Sequence, residues 1–298
     1  MQDSISIKAV RLAFTGVGAV LPEPMAALAE RLYFAARRHP APEREQAILD
    51  EGVAFTVETE LGPLAASRWE PVLPWERSDR GTVLLVHGWE GRASQLGAFV
   101  APLVARGFTV VGADAPGHGR SAGVAVDLPT YAGLLGDVAA AAASDGPPVR
   151  AVIAHSFGAG AVTLALAAAD GRFDVDAAVL VAPPCSFGRY VESFGRTFGL
   201  TRATEAIFRS RLEHRLGRRW ERDLALDLRA QGIDVPALIQ HDTDDAEIPF
   251  AEGAALANSW AASTLVATGG LGHRRILRDD SVIERAVDFI DARAAAAS

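Results

Sequence analysis

Apolar runs rich in Val, Ile and Leu recur along the chain, and stretches of helix length separate them. Most of these runs lack the alternation of a half-exposed strand, which is typical of strands buried on both faces of a parallel sheet. The pattern predicts a three-layer α/β fold with a mostly parallel central sheet flanked by helices. The predicted strands lie at 82–86, 108–114, 149–154, 177–182, 236–240 and 263–268.

Two further runs, 53–59 and 64–70, flank a turn at Gly62-Pro63 and predict an antiparallel strand pair before the parallel part of the sheet. Helices are predicted at about 94–106, 129–143, 157–169, 251–260 and 281–296. We therefore treat residues 1–298 as a single α/β domain.

Two segments interrupt this strand–helix alternation. Residues 22–50 form a predicted helical preamble that begins near Pro22. Residues 185–234 separate two strands and mix apolar side chains with many arginines. Because bare loops of this length are uncommon in compact domains, we expect 185–234 to be a small helical cap inserted over one end of the sheet.

Charge and cysteine content exclude some classes of protein. The formal net charge is −8, which argues against a nucleic-acid partner because such proteins carry basic surfaces. A single cysteine, Cys185, cannot form an internal disulfide, so we expect a cytoplasmic protein. The apolar stretch 12–21 has half the length of a spanning helix. A signal peptide is the alternative, but Asp3 and the prolines that follow fit it poorly, so we predict that the stretch packs on the domain. The oligomeric state stays open.

Unusual polar residues follow several of the predicted strands. In open parallel sheets, reactive groups collect at the carboxyl ends of the strands, so side chains distant in sequence are expected to meet there. The stretches at these positions are "HGW" (87–89), "DAPGHGRS" (114–121), His155-Ser156, "HDTDDAEIP" (241–249) and "GGLGH" (269–273).

Ser156 lies where a predicted strand turns into a small-residue helix. Such a turn places the hydroxyl on a tight bend and directs the free N–H groups of the helix N-terminus at an oxyanion formed there. Ala154 and Gly158 are small enough for the strand and the helix to approach closely. A helix-capping serine is the alternative, so Ser156 needs partners to be a nucleophile.

A base and an acid that could activate a serine are present further along the chain. His273 lies in a Gly-flanked loop after the last strand and is the best candidate base. The loop 241–249 offers four carboxylates to orient it, Asp242, Asp244, Asp245 and Glu247. The order serine, acid, histidine differs from that of chymotrypsin and subtilisin.

These ordered motifs, "VLLVHGW", "ADAPGHGRS", "AHSFGAG", "HDTDDAEIP" and "GLGHRRIL", make the chain from about residue 80 onward resemble an α/β-hydrolase-fold serine hydrolase. The resemblance implies a catalytic triad of Ser156, Asp245 and His273, in which Asp245 matches the D-x-x-I-P end of the family pattern. Ala154 replaces the first glycine of G-x-S-x-G, and Asp242 replaces a glycine of the acid-loop pattern.

The resemblance also implies an oxyanion hole formed by the backbone N–H groups of Trp89 and Phe157. Trp89 is in addition a candidate pocket residue, as are Phe194 and Phe198 in the cap. We expect His87 and His118 to brace loops, and the side chain of His155 to point away from Ser156.

The sequence predicts a cofactor-independent serine hydrolase that cleaves a small carboxylic ester or related acyl compound. The histidines and the single cysteine lack metal-ligand spacing, and no nucleotide-binding loop is present. A thioesterase, an amidase, a C–C bond hydrolase or an acyltransferase with the same triad is an alternative, because the fold does not set the reaction. A non-catalytic binding module with this fold is another.

Overall fold

The structure is a computed structural model, and it describes residues 2–71, 80–168, 170–217 and 223–297. Within this part of the chain, eight strands form one sheet in the order β1-β2-β4-β3-β5-β6-β7-β8. The first strand pairs antiparallel with the second, the second antiparallel with the fourth, and the others pair in parallel. The strands are β1 (Val53–Val57), β2 (Leu64–Trp69), β3 (Thr82–Val86), β4 (Thr109–Ala113), β5 (Val149–His155), β6 (Ala177–Val181), β7 (Ala237–Asp242) and β8 (Ser263–Thr268).

Helices connect the strands as the alternation predicted, so the mostly parallel α/β architecture is confirmed. Those of the strand-bearing part are α3 (Glu43–Glu51), α4 (Val100–Ala105), α5 (Leu128–Ser144), α6 (Phe157–Ala168), α9 (Leu226–Ala230), α10 (Phe250–Ser259), α11 (Gly272–Arg275) and α12 (Asp280–Ala297). Four more helical segments are α1 (Gln2–Gly16), α2 (Pro22–Tyr33), α7 (Phe187–Phe198) and α8 (Arg202–Leu216).

The predicted helix at 94–106 differs from a single α-helix. It is a 3-10 helix over Ala93–Phe99 that continues as α4. Pro102 lacks an N–H to donate and is tolerated in the first turn of an α-helix, so the α-helical hydrogen bonding begins just before it.

Side chains that alternate along the strands build the core on one face of the sheet. Val83, Leu85 and Ile153 belong to a buried cluster with Phe99 and Val287 from the covering helices. The intervening residues of the central strands are also buried. Both faces of the sheet are therefore covered, which explains the uninterrupted apolar runs.

The chain divides into two compact units. The sheet unit comprises Ala36–Cys185 and Leu226–Ser298, and the helical unit comprises Met1–Ala35 and Ser186–Ala225. The helical preamble predicted at 22–50 is thus divided between the two units, because α2 belongs to the helical unit and α3 to the sheet unit. That residues 185–234 cover one end of the sheet stays a prediction.

The helical unit has an aromatic interior. The ring of Tyr33 in α2 lies 5.3 Å from that of Phe194 and 5.6 Å from that of Phe208. Phe198 packs against Phe194 at 4.6 Å and against Phe14 of α1 at 6.5 Å. Helix α1 was not predicted, because long-range packing on α7, and not a local pattern, holds it in place.

In the described residues, no helix has both the length and the apolar character needed to cross a membrane.

Candidate active site

The turn between β5 and α6 holds Ser156 in a backbone conformation that side chains rarely adopt. Its φ angle is +54°. This conformation is unfavourable for a residue with a side chain, and it persists only where the surrounding structure enforces it. Gly158 is part of that enforcement, since a Cβ there would lie 2.4 Å from the carbonyl oxygen of His87. Ala154 is fully buried within β5, so its methyl group is accommodated in place of the motif's glycine.

The side chains of Ser156, His273 and Asp245 form a continuous hydrogen-bonded chain. His273 Nε2 lies 3.0 Å from Ser156 Oγ, and His273 Nδ1 lies 2.7 Å from Asp245 Oδ2. All three residues are buried. With Nδ1–H donated to the carboxylate, Nε2 presents a lone pair to the serine hydroxyl, which is the geometry a general base requires.

Asp245 is held as a carboxylate. Burial alone would raise the pKa of Asp245. Hydrogen bonds from the side chains of His241 and His273 and from the Ile248 N–H, together with electrostatic attraction to His273, instead lower this pKa below its ordinary value of 3.8. Its Oδ1 accepts from the N–H groups of Glu247 and Ile248, both at 2.8 Å. The acid is therefore fixed in position as well as in charge.

The other three acidic candidates have different contacts. Asp242 Oδ2 accepts from Thr268 Oγ1 at 2.8 Å and from the Leu271 N–H at 3.0 Å. Asp244 Oδ2 accepts from the Gly270 N–H at 2.9 Å. Both carboxylates thus tie the acid loop to the segment 268–271 that precedes the histidine, and His273 itself lies in the short helix α11 and not in the predicted loop. Glu247 pairs with Arg274 on the surface at 3.0 Å.

His155 is the site neighbour that sequence reasoning missed. That its side chain points away from Ser156 stays a prediction, and its ring packs on that of His273, with centroids 4.7 Å apart. His155 Nε2 donates to the His273 carbonyl oxygen at 2.9 Å. Burial, reinforced by repulsion from His273, lowers the pKa of His155 from 6.5 to about 3, so the ring is neutral. The position directly before the nucleophile was the only available signal.

The two predicted oxyanion residues lie side by side. Phe157 is the first residue of α6, where N–H groups have no intrahelical partner. Trp89 follows Gly88, whose backbone abuts the nucleophile: a Cβ there would lie 3.0 Å from Ser156 Cβ. The half-buried Trp89 ring contacts the rings of Phe157 and His118, each at 5.3 Å.

His87 and His118 make loop contacts. His87 Nε2 accepts from the Ala115 N–H at 2.9 Å, and its Nδ1 donates to the Gly88 carbonyl oxygen at 2.8 Å. Burial and the neighbouring His118 lower the pKa of His87 from 6.5 to about 4, which keeps Nε2 an acceptor. His118 Nδ1 lies 2.9 Å from the Pro116 carbonyl oxygen, and burial likewise lowers its pKa.

Phe194 and Phe198, the other predicted pocket residues, lie half-buried in the aromatic interior of the helical unit. Their contact with a substrate stays a prediction. Metal-ligating side chains do not cluster in the described ranges: no three His, Cys, Asp or Glu residues there form a group that would hold an ion.

Sheet order, the strained serine turn and the converging motifs define an α/β-hydrolase. A family model described as serine aminopeptidase, S33 (Hydrolase_4) matches residues 77–225, half of the chain. The chain therefore belongs to this hydrolase family. The match includes Ser156, Trp89 and Phe157, whereas Asp245 and His273 lie beyond it.

Solved structures of esterases share the fold. An esterase of Pyrococcus furiosus is 15% identical, with a TM-score of 0.64 over 86% of this chain and 98% of its own. Est1E of Butyrivibrio proteoclasticus is 18% identical, with a TM-score of 0.62 over 81% of this chain and 99% of its own. An esterase of Rhodococcus is 20% identical, with a TM-score of 0.57 over 81% and 99%. The search of curated proteins found no match.

Proposed function

We propose that this protein is a serine hydrolase that cleaves a small carboxylic ester through an acyl-enzyme intermediate. The observation that carries the proposal is the hydrogen-bonded chain from Ser156 Oγ through His273 to Asp245, at 3.0 and 2.7 Å. A merely structural serine at this turn does not require a buried imidazole with a carboxylate behind it. The esterase folds named above support the ester as substrate class.

In the proposed first half-reaction, Ser156 Oγ attacks the acyl carbonyl carbon while His273 Nε2 takes the hydroxyl proton. The oxyanion accepts hydrogen bonds from the N–H groups of Trp89 and Phe157. Asp245 stabilises the resulting imidazolium, which then protonates the departing alcohol and leaves an ester on Ser156. In the second half, His273 removes a proton from water, the hydroxide adds to the acyl carbon, and the acid is released with Ser156 restored.

The test is covalent labelling together with turnover. A fluorophosphonate probe should label the wild type at Ser156, and p-nitrophenyl acetate should be hydrolysed at the same site. Ser156→Ala should lose both signals and keep its thermal unfolding midpoint. Ser121→Ala is the matched control, since Ser121 is equally buried but bonds the Asp114 carbonyl oxygen, and it should keep both. Labelling of the Ser156→Ala protein at another serine would refute the assignment.

The bond type is tested with a substrate panel. Amide hydrolysis is the second candidate because the family description names an aminopeptidase. Esters, thioesters, aminoacyl anilides and C–C substrates with the same acyl group should be compared by kcat/KM. We expect the esters to have the highest kcat/KM, and we expect EDTA to leave the rates unchanged. An anilide that exceeds its ester would replace the esterase proposal by amidase. A protein that binds acyl ligands without turnover or labelling would be a binding module.

A further inference from the structure

Exposed apolar side chains are concentrated near the N-terminus. Among the described residues nine large apolar side chains are exposed, and five of them lie between positions 12 and 28. The most exposed are Leu12 at 74% and Val20 at 78%. Contiguous exposed apolar side chains are typical of an interaction surface, and four of these five lie within the ten residues 12–21. The five are Leu12, Val17, Val20, Leu21 and Leu28.

These side chains belong to an ordered part of the helical unit. Residues 12–21, here called the apolar tip, run from the end of α1 through a 3-10 helix to the start of α2 and contain no charged residue. Phe14 anchors the tip because it is fully buried. Gly18 anchors it too, since its carbonyl oxygen lies 3.3 Å from the hydroxyls of Thr201 and Thr204. The fold therefore keeps the tip in an ordered conformation in which the side chains of Leu12, Val17, Val20 and Leu21 are exposed to water.

Exposed basic side chains on α1 and around the α7–α8 connection, here called the basic border, lie near the apolar tip. Lys8 and Arg11 precede it on α1, and both are exposed. Arg11 Nη1 donates to the Thr197 carbonyl oxygen at 3.3 Å, which brings the end of α7 to the same place. Arg196 and Arg202, on either side of this contact in sequence, are also exposed.

The charge of the two units has opposite sign. The helical unit carries twelve basic and eight acidic residues, a formal charge of +4. The sheet unit carries 17 basic and 29 acidic residues, a formal charge of −12. The apolar tip and the exposed basic residues beside it thus belong to the unit with a positive formal charge.

We propose that the apolar tip and its basic border bind the surface of an anionic lipid bilayer. Aliphatic side chains next to Lys and Arg match the boundary between acyl chains and anionic head groups, and binding at this boundary needs no spanning helix. A second copy of the chain fits worse. In a symmetric dimer the same patch meets itself, which would place the basic borders against each other.

Vesicle sedimentation of the full-length protein tests the proposal. The protein should sediment with vesicles of phosphatidylcholine and phosphatidylglycerol mixed two to one, and much less with phosphatidylcholine alone. Leu12→Ser combined with Val20→Ser should weaken partitioning by about tenfold or more, because each buried CH₂ contributes about 0.8 kcal/mol. Lys8→Gln combined with Arg202→Gln should weaken it about 30-fold on the anionic vesicles only, at about 1 kcal/mol per basic residue.

Leu61→Ser combined with Val124→Ser is the matched control, since both side chains are exposed on the sheet unit, and it should sediment like the wild type. Ester turnover in solution should be the same for all these variants, so this proposal and the proposed hydrolase activity fail separately. Wild-type protein that stays in the supernatant with anionic vesicles overturns the proposal. A dimer in solution that Leu12→Ser with Val20→Ser converts to a monomer would also overturn it, in favour of a second copy.

Discussion

At the scale of single residues, the candidate site depends on one acid among four. Only Asp245 contacts His273, although Asp242 and Asp244 lie in the same loop. The difference arises from backbone placement: the N–H groups of Glu247 and Ile248 hold the carboxylate of Asp245 from behind. A carboxylate is thus aligned with the imidazole without a change of rotamer.

Asp245→Asn should fold and lose about 10⁴ in turnover, the loss seen when a triad acid no longer selects the histidine tautomer. The amide of Asn would donate to Nδ1 and leave the proton on Nε2, where the serine proton must arrive. Asp244→Asn is the control, and it should lose less than tenfold. Steady-state kinetics on a p-nitrophenyl ester measures the turnover of both variants. If Asp244→Asn is inactive while Asp245→Asn stays active, Asp244 and not Asp245 is the acid of the triad.

His155 is expected to position the base. His155→Leu removes the donor to the His273 carbonyl oxygen and should lower kcat up to about tenfold with little change in KM, the equivalent of one hydrogen bond. His155→Gln can place an amide N–H near the same point and should recover most of the loss. If Leu and Gln reduce kcat equally, or if KM changes instead, His155 has no positioning role.

At the scale of elements, close packing of α6 against the loop after β3 maintains the serine turn. A Cβ at Gly158 would lie 2.4 Å from the His87 carbonyl oxygen and 2.7 Å from that of Val86, and backbone atoms cannot move aside cheaply. At Gly160, the nearest atoms are side-chain atoms of Leu128, Leu226 and Pro184 at 3.3 Å. The same helix therefore contains one glycine crowded by backbone atoms and one crowded less tightly by side-chain atoms.

Gly158→Ala should destabilise the protein by about 1–3 kcal/mol, the usual effect of overpacking, and should reduce turnover because the turn must shift. Gly160→Ala has the same gain in helix propensity of about 1 kcal/mol, and its neighbours are side chains that can shift, so it should be destabilised much less than Gly158→Ala. Thermal unfolding of both variants measures the contrast. Equal midpoints for the two would show that the helix and the loop do not constrain the turn.

At the scale of the whole molecule, buried neutral histidines set the behaviour in acid. The pKa is lowered to about 4 in His87 and to about 3 in His155, from 6.5. Between pH 6.5 and these values the unfolded chain binds more protons than the folded one, so stability is lost as the pH falls. Protonated His87 would also lose Nε2 as the acceptor for Ala115.

We therefore expect the unfolding free energy to drop by a few kcal/mol from pH 7 to pH 4, at about 1.4 kcal/mol per unit of pKa shift. Denaturant melts across this range are the measurement. His155→Gln removes one titrating group, so its stability should depend less steeply on pH. If the unfolding free energy of His155→Gln depends on pH as steeply as that of the wild type, groups other than His155 cause the loss of stability in acid.

The sequence alone predicted the strands, the mostly parallel sheet and the hydrolase resemblance, because these depend on local signals. Buried strands show as apolar runs, and the residues at strand ends appear in a fixed order along the chain. Asp245 was selected over its neighbours by its distance from Pro249, which is also local information. The 3-10 start of the helix near residue 94, the unpredicted helix α1 and the division of the preamble between two units departed from the pattern.

Tertiary structure alone decided what depends on contacts between distant residues. His155 meets the carbonyl oxygen of a residue 118 positions away, and no periodicity encodes such a pairing. The assembly of residues 1–35 with 186–225 into one unit is of the same kind, since each helix completes its apolar surface with a partner far along the chain. Exposure of Leu12 and Val20 also follows from packing, because an apolar stretch looks the same in sequence whether the fold buries it or leaves it in water.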